Sequence, residues 1–117
     1  MKYMLLIYLD ETWEKLSPAE RQQIYWEQTQ LAEQLRANGQ YLAGAPLHPT
    51  STATSVRVRD GKRLLTDGPF VETREQLGGY MLIDVKDLDE AIAVAARGPV
   101  ARVGIVEVRP VREGPPT

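Results

Sequence analysis

The stretch that decides the fold is Tyr3–Leu9, with the sequence YMLLIYL, a continuous apolar run of strand length. A strand that is apolar at every position, rather than at every second one, needs a cover on both faces of its sheet. We therefore expect a central strand with helices packed on one face. A second copy of the same sheet is the simplest cover for the other face, which predicts a homodimer with facing sheets.

A long helix is predicted after this strand. Ser17 can cap the first free backbone N–H groups, Pro18 suits the first helical position, and Glu20 completes a capping box. The helix should run to about Asn38, with Gly39 as its stop. The predicted buried stripe consists of Ile24, Gln28, Leu31 and Leu35, in which Gln28 is the one polar member.

A second, shorter helix is predicted near the end of the chain. Asp87 is its cap, Glu90 should complete a second capping box, and Gly98-Pro99 should end it. Its predicted buried residues are Leu88, Ala91, Ile92 and Ala95.

The remaining apolar segments have the length and alternation of strands. They are Tyr41–Ala43, Thr52–Arg59, Lys62–Thr66, Tyr80–Val85 and Val103–Val111. The Asp60-Gly61 pair between the second and third of these predicts a tight hairpin. The order is β-α-β-β-α-β with an added hairpin, which is the ferredoxin-like α+β arrangement. We expect a single domain over residues 1–112 and a flexible tail over 113–117.

Composition narrows the functional classes. The chain has 117 residues, 43% of them hydrophobic, and a net charge of −2 without any basic block. These values predict a single soluble cytoplasmic domain, with neither direct nucleic-acid binding nor a membrane span. The chain has no cysteine, which excludes disulfides, thiol catalysis and thiolate metal sites.

The segment from Asp67 to Tyr80 is where the sequence points to function. Gly68, Pro69 and Phe70 can be explained as a rigid turn with an aromatic anchor, and Asp67 as its turn-forming acceptor. The alternative is that Asp67 is an acid, a base or a ligand acceptor.

Downstream of the turn, Glu72 and Arg74 lie on one side of an extended chain, where they can pair with each other or converge on a ligand. Gly78 and Gly79 enter a strand, which usually marks a bulge or the close approach of another backbone or a ligand. Tyr80 adds a hydroxyl group. We therefore predict Glu72, Arg74, Gly78 and Gly79 as ligand-binding residues, and Tyr80 as a catalytic candidate.

His48 is the single histidine, and it lies in the loop Pro46–Pro49. Its side chain is suited to proton transfer near neutral pH, which makes it the third catalytic candidate beside Asp67 and Tyr80. A lone histidine cannot form a conventional zinc site, so no metal or other cofactor is predicted. A carboxylate site built from Asp67 and Glu72 remains an unsupported alternative.

Three segments together resemble the DGPF branch of the YCII-related family. They are Thr66–Tyr80, Asp87–Ala91 and Val106–Val111, and the match extends over nearly the whole chain. The resemblance implies a dimeric ferredoxin-like α+β barrel and, in some relatives, a catalytic histidine–aspartate pair. Some DGPF relatives are fused to, or encoded beside, sigma-70-type transcription factors.

This chain departs from the family at both positions of that pair. The family's histidine corresponds to a position near Gln28, and the family's aspartate to Gly98, before Pro99. Neither residue can carry the family's acid–base role. The main hypothesis is a small-molecule site, enzymatic or not, at the Asp67–Tyr80 loop; the alternative is a regulatory domain linked to a sigma factor.

Overall fold

The computed structural model describes residues 1–69 and 73–114. Within these ranges the chain forms six β-strands and three α-helices. The strands are β1 (Lys2–Leu9), β2 (Tyr41–Pro46), β3 (Thr54–Arg59), β4 (Lys62–Asp67), β5 (Gln76–Asp84) and β6 (Gly104–Pro110); the helices are α1 (Glu11–Glu14), α2 (Pro18–Ala37) and α3 (Leu88–Arg97). Short 3₁₀ helices cover Thr50–Thr52 and Pro99–Arg102. The predictions for Phe70 and Glu72 fall outside the described residues.

Four of the strands form one antiparallel sheet in the order β2-β5-β1-β6. The predicted central strand, β1, lies between β5 and β6. Each helical crossover, through α2 and through α3, skips one strand position, as in a split β-α-β unit. The α+β, ferredoxin-like arrangement predicted from the element order is therefore confirmed.

Both long helices pack on one face of this sheet, and the core lies between the two layers. Its buried side chains come from alternate positions of β1 and β5, from α2 and from α3; they include Tyr3, Leu5, Leu31, Leu35, Met81, Ile83, Ala91 and Val94. The helix α2 begins as predicted, with the Ser17 hydroxyl accepting from the Glu20 amide and the Glu20 carboxylate accepting from the Ser17 amide.

The start of α3 is only partly as the sequence predicts. The Asp87 carboxylate caps the Glu90 amide at 2.9 Å. The Glu90 carboxylate does not complete a capping box, because it accepts a hydrogen bond from the Gln40 side chain at 2.5 Å. The predicted buried stripe is also wrong in part, since Leu88 and Ile92 are 47% and 49% exposed.

Strand β5 begins earlier than its apolar residues indicate, at Gln76 rather than Tyr80. Along β1, Ile7 faces Gly79 and the next residue, Tyr8, faces Leu77, so Gly78 is an extra residue in the ladder. An extra residue of this kind is a β-bulge, which bends the strand and increases its local twist. The bulge is one of the alternatives that the Gly78-Gly79 pair predicts.

Strands β3 and β4 form a separate two-stranded hairpin, called the arm below. Its turn is the predicted one, with positive φ values of 52° at Asp60 and 74° at Gly61. Every residue of β4 is exposed, and Val56 and Leu65, which face each other across the ladder, are 60% and 65% exposed. The Cα radius of gyration is 16.2 Å, whereas a compact chain of this length has a value of about 13 Å.

The sheet face opposite the helices is called the outer face. Cross-strand rows on this face place Leu82 beside Met4, Tyr80 beside Leu6, and Ile105 beside Tyr8. None of the described helices packs on this face. Its far edge carries an ion pair in which the Arg109 guanidinium donates to the Glu107 carboxylate at 2.9 Å, and this hydrogen bond raises the pKa of Arg109.

None of the helices in the described ranges combines the length and the hydropathy needed to cross a lipid bilayer.

Candidate functional site

A cleft of about 770 Å³ opens between α2 and the end of the sheet where β2 finishes and β5 starts. Helix α1 and the segment of residues 46–50 border its mouth. Clefts that hold small organic ligands typically have about 300–1,000 Å³ and a largely apolar lining with a few polar groups. The cleft has the size of a ligand site.

The floor of the cleft is built from glycines: Gly44 on β2, and Gly78 and Gly79 on β5. A β-carbon on Gly79 would lie 3.1 Å from the Ala45 carbonyl oxygen, and one on Gly44 would lie 3.0 Å from the Tyr80 carbonyl oxygen. The two strands thus approach too closely for side chains at these positions. These positions therefore contribute peptide backbone rather than side chains of their own to the cleft lining, with the Tyr41 hydroxyl beside Gly44 and the Leu9 side chain beside Gly78.

Aromatic side chains form the wall near α1. The rings of Trp13 and Tyr25 meet edge to face, with their centres 5.5 Å apart. Arg21 fixes Trp13 in place, because its guanidinium lies 5.4 Å from the indole centre and donates to the carbonyl oxygens of Trp13 and Glu14 at 3.2 and 2.9 Å. Two of the Arg21 donors are therefore engaged within the protein, and they hold the aromatic wall in place.

A second cation, Arg36, lies at the opposite side of the cleft. Its guanidinium stacks over the Tyr41 ring at 4.5 Å from the ring centre. The Tyr41 hydroxyl donates to the Gly44 carbonyl at 3.3 Å, so this aromatic ring is tied to the floor. Stacking on an aromatic face leaves the edge of a guanidinium open to further acceptors.

The inner end of the cleft is formed by Ile7, Met81, Val100 and Gln28. These four residues also border a much smaller core cavity of about 10 Å³, which is otherwise lined by apolar residues and glycine. Gln28 is the only polar side chain among the four. Its position at the cleft explains why one member of the α2 stripe is polar. Helix α2 faces the core along one part of its surface and the cleft along the adjacent part.

The structure also brings the two family positions together. A β-carbon on Gly98 would lie 3.3 Å from Oε1 of Gln28 and 3.3 Å from Cδ2 of Leu31. The residues that the sequence places where the family has its histidine and aspartate are therefore neighbours in space. In this chain the pair is an amide and a glycine, and neither titrates near neutral pH.

Of the site residues predicted from the sequence, His48, Gly78, Gly79 and Tyr80 border the cleft. His48 is exposed at the mouth. Strand alternation directs the Tyr80 side chain to the outer face, opposite its buried neighbours Gly79 and Met81, so Tyr80 contributes backbone to the cleft. The catalytic roles of His48 and Tyr80 remain predictions.

Asp67 and Arg74 lie away from the cleft lining. Asp67 ends β4 opposite Thr54 and is exposed. The turn after it is fixed by backbone and hydroxyl contacts: the Gly68 amide donates to Ala53 at 2.7 Å, and the Ser55 hydroxyl donates to the Gly68 carbonyl at 2.8 Å. Gly68 has a φ of 89°, which fits its predicted structural role. Arg74 pairs with Glu11 at 3.3 Å, with both side chains largely exposed.

Sequence reasoning did not identify the wall of the cleft. Trp13, Tyr25 and Arg36 were not predicted as site residues, although a signal for them exists in the spacing along α2. Cleft-lining residues recur on one helical face next to the core stripe, at positions 21, 25, 28, 29, 32, 33 and 36. A broad, mixed polar and apolar face of this kind is expected of a helix that borders a ligand site rather than a dry core.

Comparisons with known proteins identify the family. A family model described as the YCII-related domain matches residues 1–114. The chain is also similar to a protein of Rhizobium meliloti (strain 1021) that is described as uncharacterized. The two are 35% identical over 117 residues, which cover 95% of this chain and 92% of that protein.

Proposed function

This chain belongs to the YCII-related domain family, and on that premise we propose that it binds a small organic molecule in the cleft between α2 and the sheet. The observation that carries the proposal is the cleft itself. It combines about 770 Å³ of space with a floor that includes glycine backbone and an aromatic wall held by Arg21. A cleft of this size exposes apolar surface to water, and a bound molecule would remove that cost.

The sequence hypothesis placed the ligand at the Asp67–Tyr80 loop. The proposal retains the part of that segment at the cleft, Gly78 and Gly79, and adds the wall residues Trp13 and Tyr25. His48 at the mouth is the side chain through which a proton transfer near neutral pH would proceed.

A thermal-shift screen against a panel of metabolites tests this proposal with two matched variants. Thr29 borders the cleft, whereas the next helical residue, Gln30, is exposed and lies outside it. Thr29→Trp should fill the cleft, and Gln30→Trp adds the same side chain without filling it. A ligand at 100 times its dissociation constant adds about 2.7 kcal/mol to the free energy of unfolding.

We expect such a ligand to raise the melting temperature of the wild type and of Gln30→Trp, but not of Thr29→Trp. Ligands that stabilise Thr29→Trp as strongly as the wild type would place binding elsewhere. A panel that stabilises none of the three proteins would count against a metabolite site.

The proposal includes a homodimer, in which a second copy covers the outer face and the apolar side of the arm. Support comes from the arm, whose exposed Val56 and Leu65 have no cover within the described residues. An isolated two-stranded hairpin is at best marginally stable in water, so the arm needs a surface to rest on. The outer face supplies one, since Met4, Leu6 and Leu82 lie there uncovered by helices.

The distribution of charge favours a second copy of the chain as the molecule that covers the outer face and the arm. The arm, Thr54–Asp67, has four basic and two acidic side chains, which give a net charge of +2. The whole chain carries −2, so the remainder carries −4. The arm of one copy and the body of another therefore attract each other.

Light scattering after gel filtration tests the homodimer. We expect the wild type to elute as a dimer, and Leu82→Lys on the outer face or Leu65→Lys on the arm to shift it to monomer. Leu88→Lys is the matched control, because Leu88 is 47% exposed on the helical side. A monomeric wild type, or equal dissociation by all three variants, would contradict the arrangement.

A further inference from the structure

The charged groups that border the cleft are absent from its inner end. Asp10, Glu14, Arg21, Glu33 and Arg36 border the cleft but not the small core cavity behind it. The residues shared by the cleft and the cavity are neutral, and Met81 and Val100 among them are 4% and 8% exposed. A charged group placed there would lose its hydration without gaining an ionic partner, which is strongly unfavourable.

Several of the charged groups at the mouth are also engaged within the protein. The Asp10 carboxylate caps the Thr12 amide at 2.8 Å, and Arg21 donates to two carbonyl groups. The deepest part of a ligand therefore meets apolar side chains and one neutral polar group, Gln28.

The Gln28 amide is free to bind. Some polar side chains of α2 form hydrogen bonds, namely those of Arg21, Glu27, Thr29 and Gln34, whereas the exposed Gln22, Gln23 and Gln30 form none within the described residues. Within the part of the chain that the structure describes, Gln28 has no hydrogen-bond partner. A side-chain amide carries both donors and acceptors, and leaving them unpaired on removal from water costs more than a hydrogen bond gains.

From these observations we propose that the cleft selects a flat molecule whose inner end is uncharged and carries an amide-type edge, such as a carboxamide or a lactam. This inference rests on the proposed function and names the ligand class. The N–H and C=O groups of such an edge pair with the Oε1 and Nε2 atoms of Gln28 in two parallel hydrogen bonds. A carboxylate offers acceptors alone and brings a charge to the apolar end, so it is the disfavoured form.

The flat shape follows from the other surfaces of the cleft. Gly44, Gly78 and Gly79 add no side chains of their own to the floor, where Tyr41 and Leu9 lie beside Gly44 and Gly78, and the Trp13 and Tyr25 rings stand at the wall. A planar ring can lie on the floor with its apolar edge against Ile7 and Met81. A branched, saturated ligand of equal volume does not fit a flat floor as closely.

Three naphthalene probes separate these requirements at neutral pH. 2-Naphthamide has a neutral donor–acceptor edge, 2-naphthoate has a charged acceptor edge, and 2-acetonaphthone has an acceptor but no donor. Binding is followed by the amide resonances of Gly44, Gly78 and Gly79, which report contact with the floor. The proteins are the wild type, Gln28→Met and the control Gln30→Met, which makes the same change on the exposed face of α2.

We expect 2-naphthamide to bind the wild type and Gln30→Met at least about fivefold more tightly than 2-naphthoate or 2-acetonaphthone, since one lost hydrogen bond costs about 1 kcal/mol. Gln28→Met should abolish the preference over the uncharged 2-acetonaphthone, while the floor resonances still shift. Tighter or equal binding of 2-naphthoate by the wild type, or an unchanged preference over 2-acetonaphthone in Gln28→Met, would overturn the ligand class and leave a small-molecule site in place. A lack of shifts at the floor with all three probes would count against both proposals.

Discussion

A β-carbon placed on Gly98 would lie 3.3 Å from Oε1 of Gln28, so the loop after α3 meets α2 at the inner end of the cleft. Gly98 has a φ of −73° and a ψ of 148°, a backbone conformation that any residue adopts. What the glycine provides at this position is space. A side chain at position 98 would contact Gln28, the one polar side chain at the inner end of the cleft.

This contact leads to a prediction about titration. In Gln28→His alone, the imidazole would face apolar residues and Gly98. Adding Gly98→Asp places a carboxylate beside it, and an adjacent opposite charge favours the protonated imidazole. We expect the histidine pKa to be higher in the double variant by about one unit or more, as measured by NMR titration. Equal pKa values in the single and double variants, with both proteins folded, would show that the two side chains do not meet.

Two glycines at strand contacts should differ in their tolerance of alanine. A β-carbon on Gly104 would overlap the backbone carbonyl oxygen of Tyr8, whereas one on Gly78 meets the end of the Leu9 side chain. A side chain can rotate away, but a paired strand cannot. We expect Gly104→Ala to lower the free energy of unfolding by about 2–3 kcal/mol, and Gly78→Ala by less. Urea unfolding measures both, and the reverse order would contradict the strand geometry.

The N-terminal cap of α2 should contribute to stability. The Ser17 hydroxyl accepts from the Glu20 amide at 3.1 Å, and loss of such a cap typically costs about 1 kcal/mol. Ser17→Ala should therefore lower the urea midpoint. The exposed Ser51→Ala is the control, and equal midpoints for the two variants would show that the cap does not matter.

The same cap predicts a pH dependence. Hydrogen bonds from the Ser17 backbone and side chain hold the pKa of Glu20 below its ordinary value of 4.5. A carboxylate whose pKa is lower in the folded state stabilises the fold fully above the ordinary value, and this contribution is lost as the pH falls through the lowered one. Wild type should be more stable than Glu20→Gln at neutral pH, and the difference should vanish in acid. A difference that is constant with pH would rule out a contribution from the charge.

The arm turn allows the dimer to be perturbed without touching its contact surface. Gly61 has a φ of 74°, and a β-carbon there meets open space, so Gly61→Ala acts only through backbone strain. Strain of this kind costs about 1 kcal/mol. If the arm is ordered on the second copy, the dimer dissociation constant should rise about fivefold by analytical ultracentrifugation. An unchanged dimer dissociation constant in Gly61→Ala would show that the arm is not part of the interface.

The features predicted correctly from the sequence are those encoded locally. Ser17 and Glu20 are three residues apart, and Asp60 and Gly61 are adjacent, so their contacts depend on little else. The contact between Glu90 and Gln40 could not be predicted in this way, because it joins residues fifty positions apart.

The site was predicted only in part from the sequence, because it too depends on contacts between distant segments of the chain. The bulge at Gly78 was one of the alternatives for the glycine pair, and only the pairing of β5 with β1 shows it. Gln28 was recognisable as a polar residue in an apolar stripe, but its setting depends on how far α2 stands from the sheet. That distance is set by packing between elements, which has no local sequence signal.

The Leu47 amide donates to the Gly78 carbonyl at 2.9 Å, next to the last paired residues of β2 and β5. The chain thus leaves the sheet and returns to it at one point. The segment from residue 48 to residue 75 is therefore an insertion within the connection between β2 and β5. A short turn in its place would leave the four-stranded sheet and both long helices intact. The β2–β5 connection is therefore closed at its base, and the arm is appended to the four-stranded sheet without contributing to the core cluster.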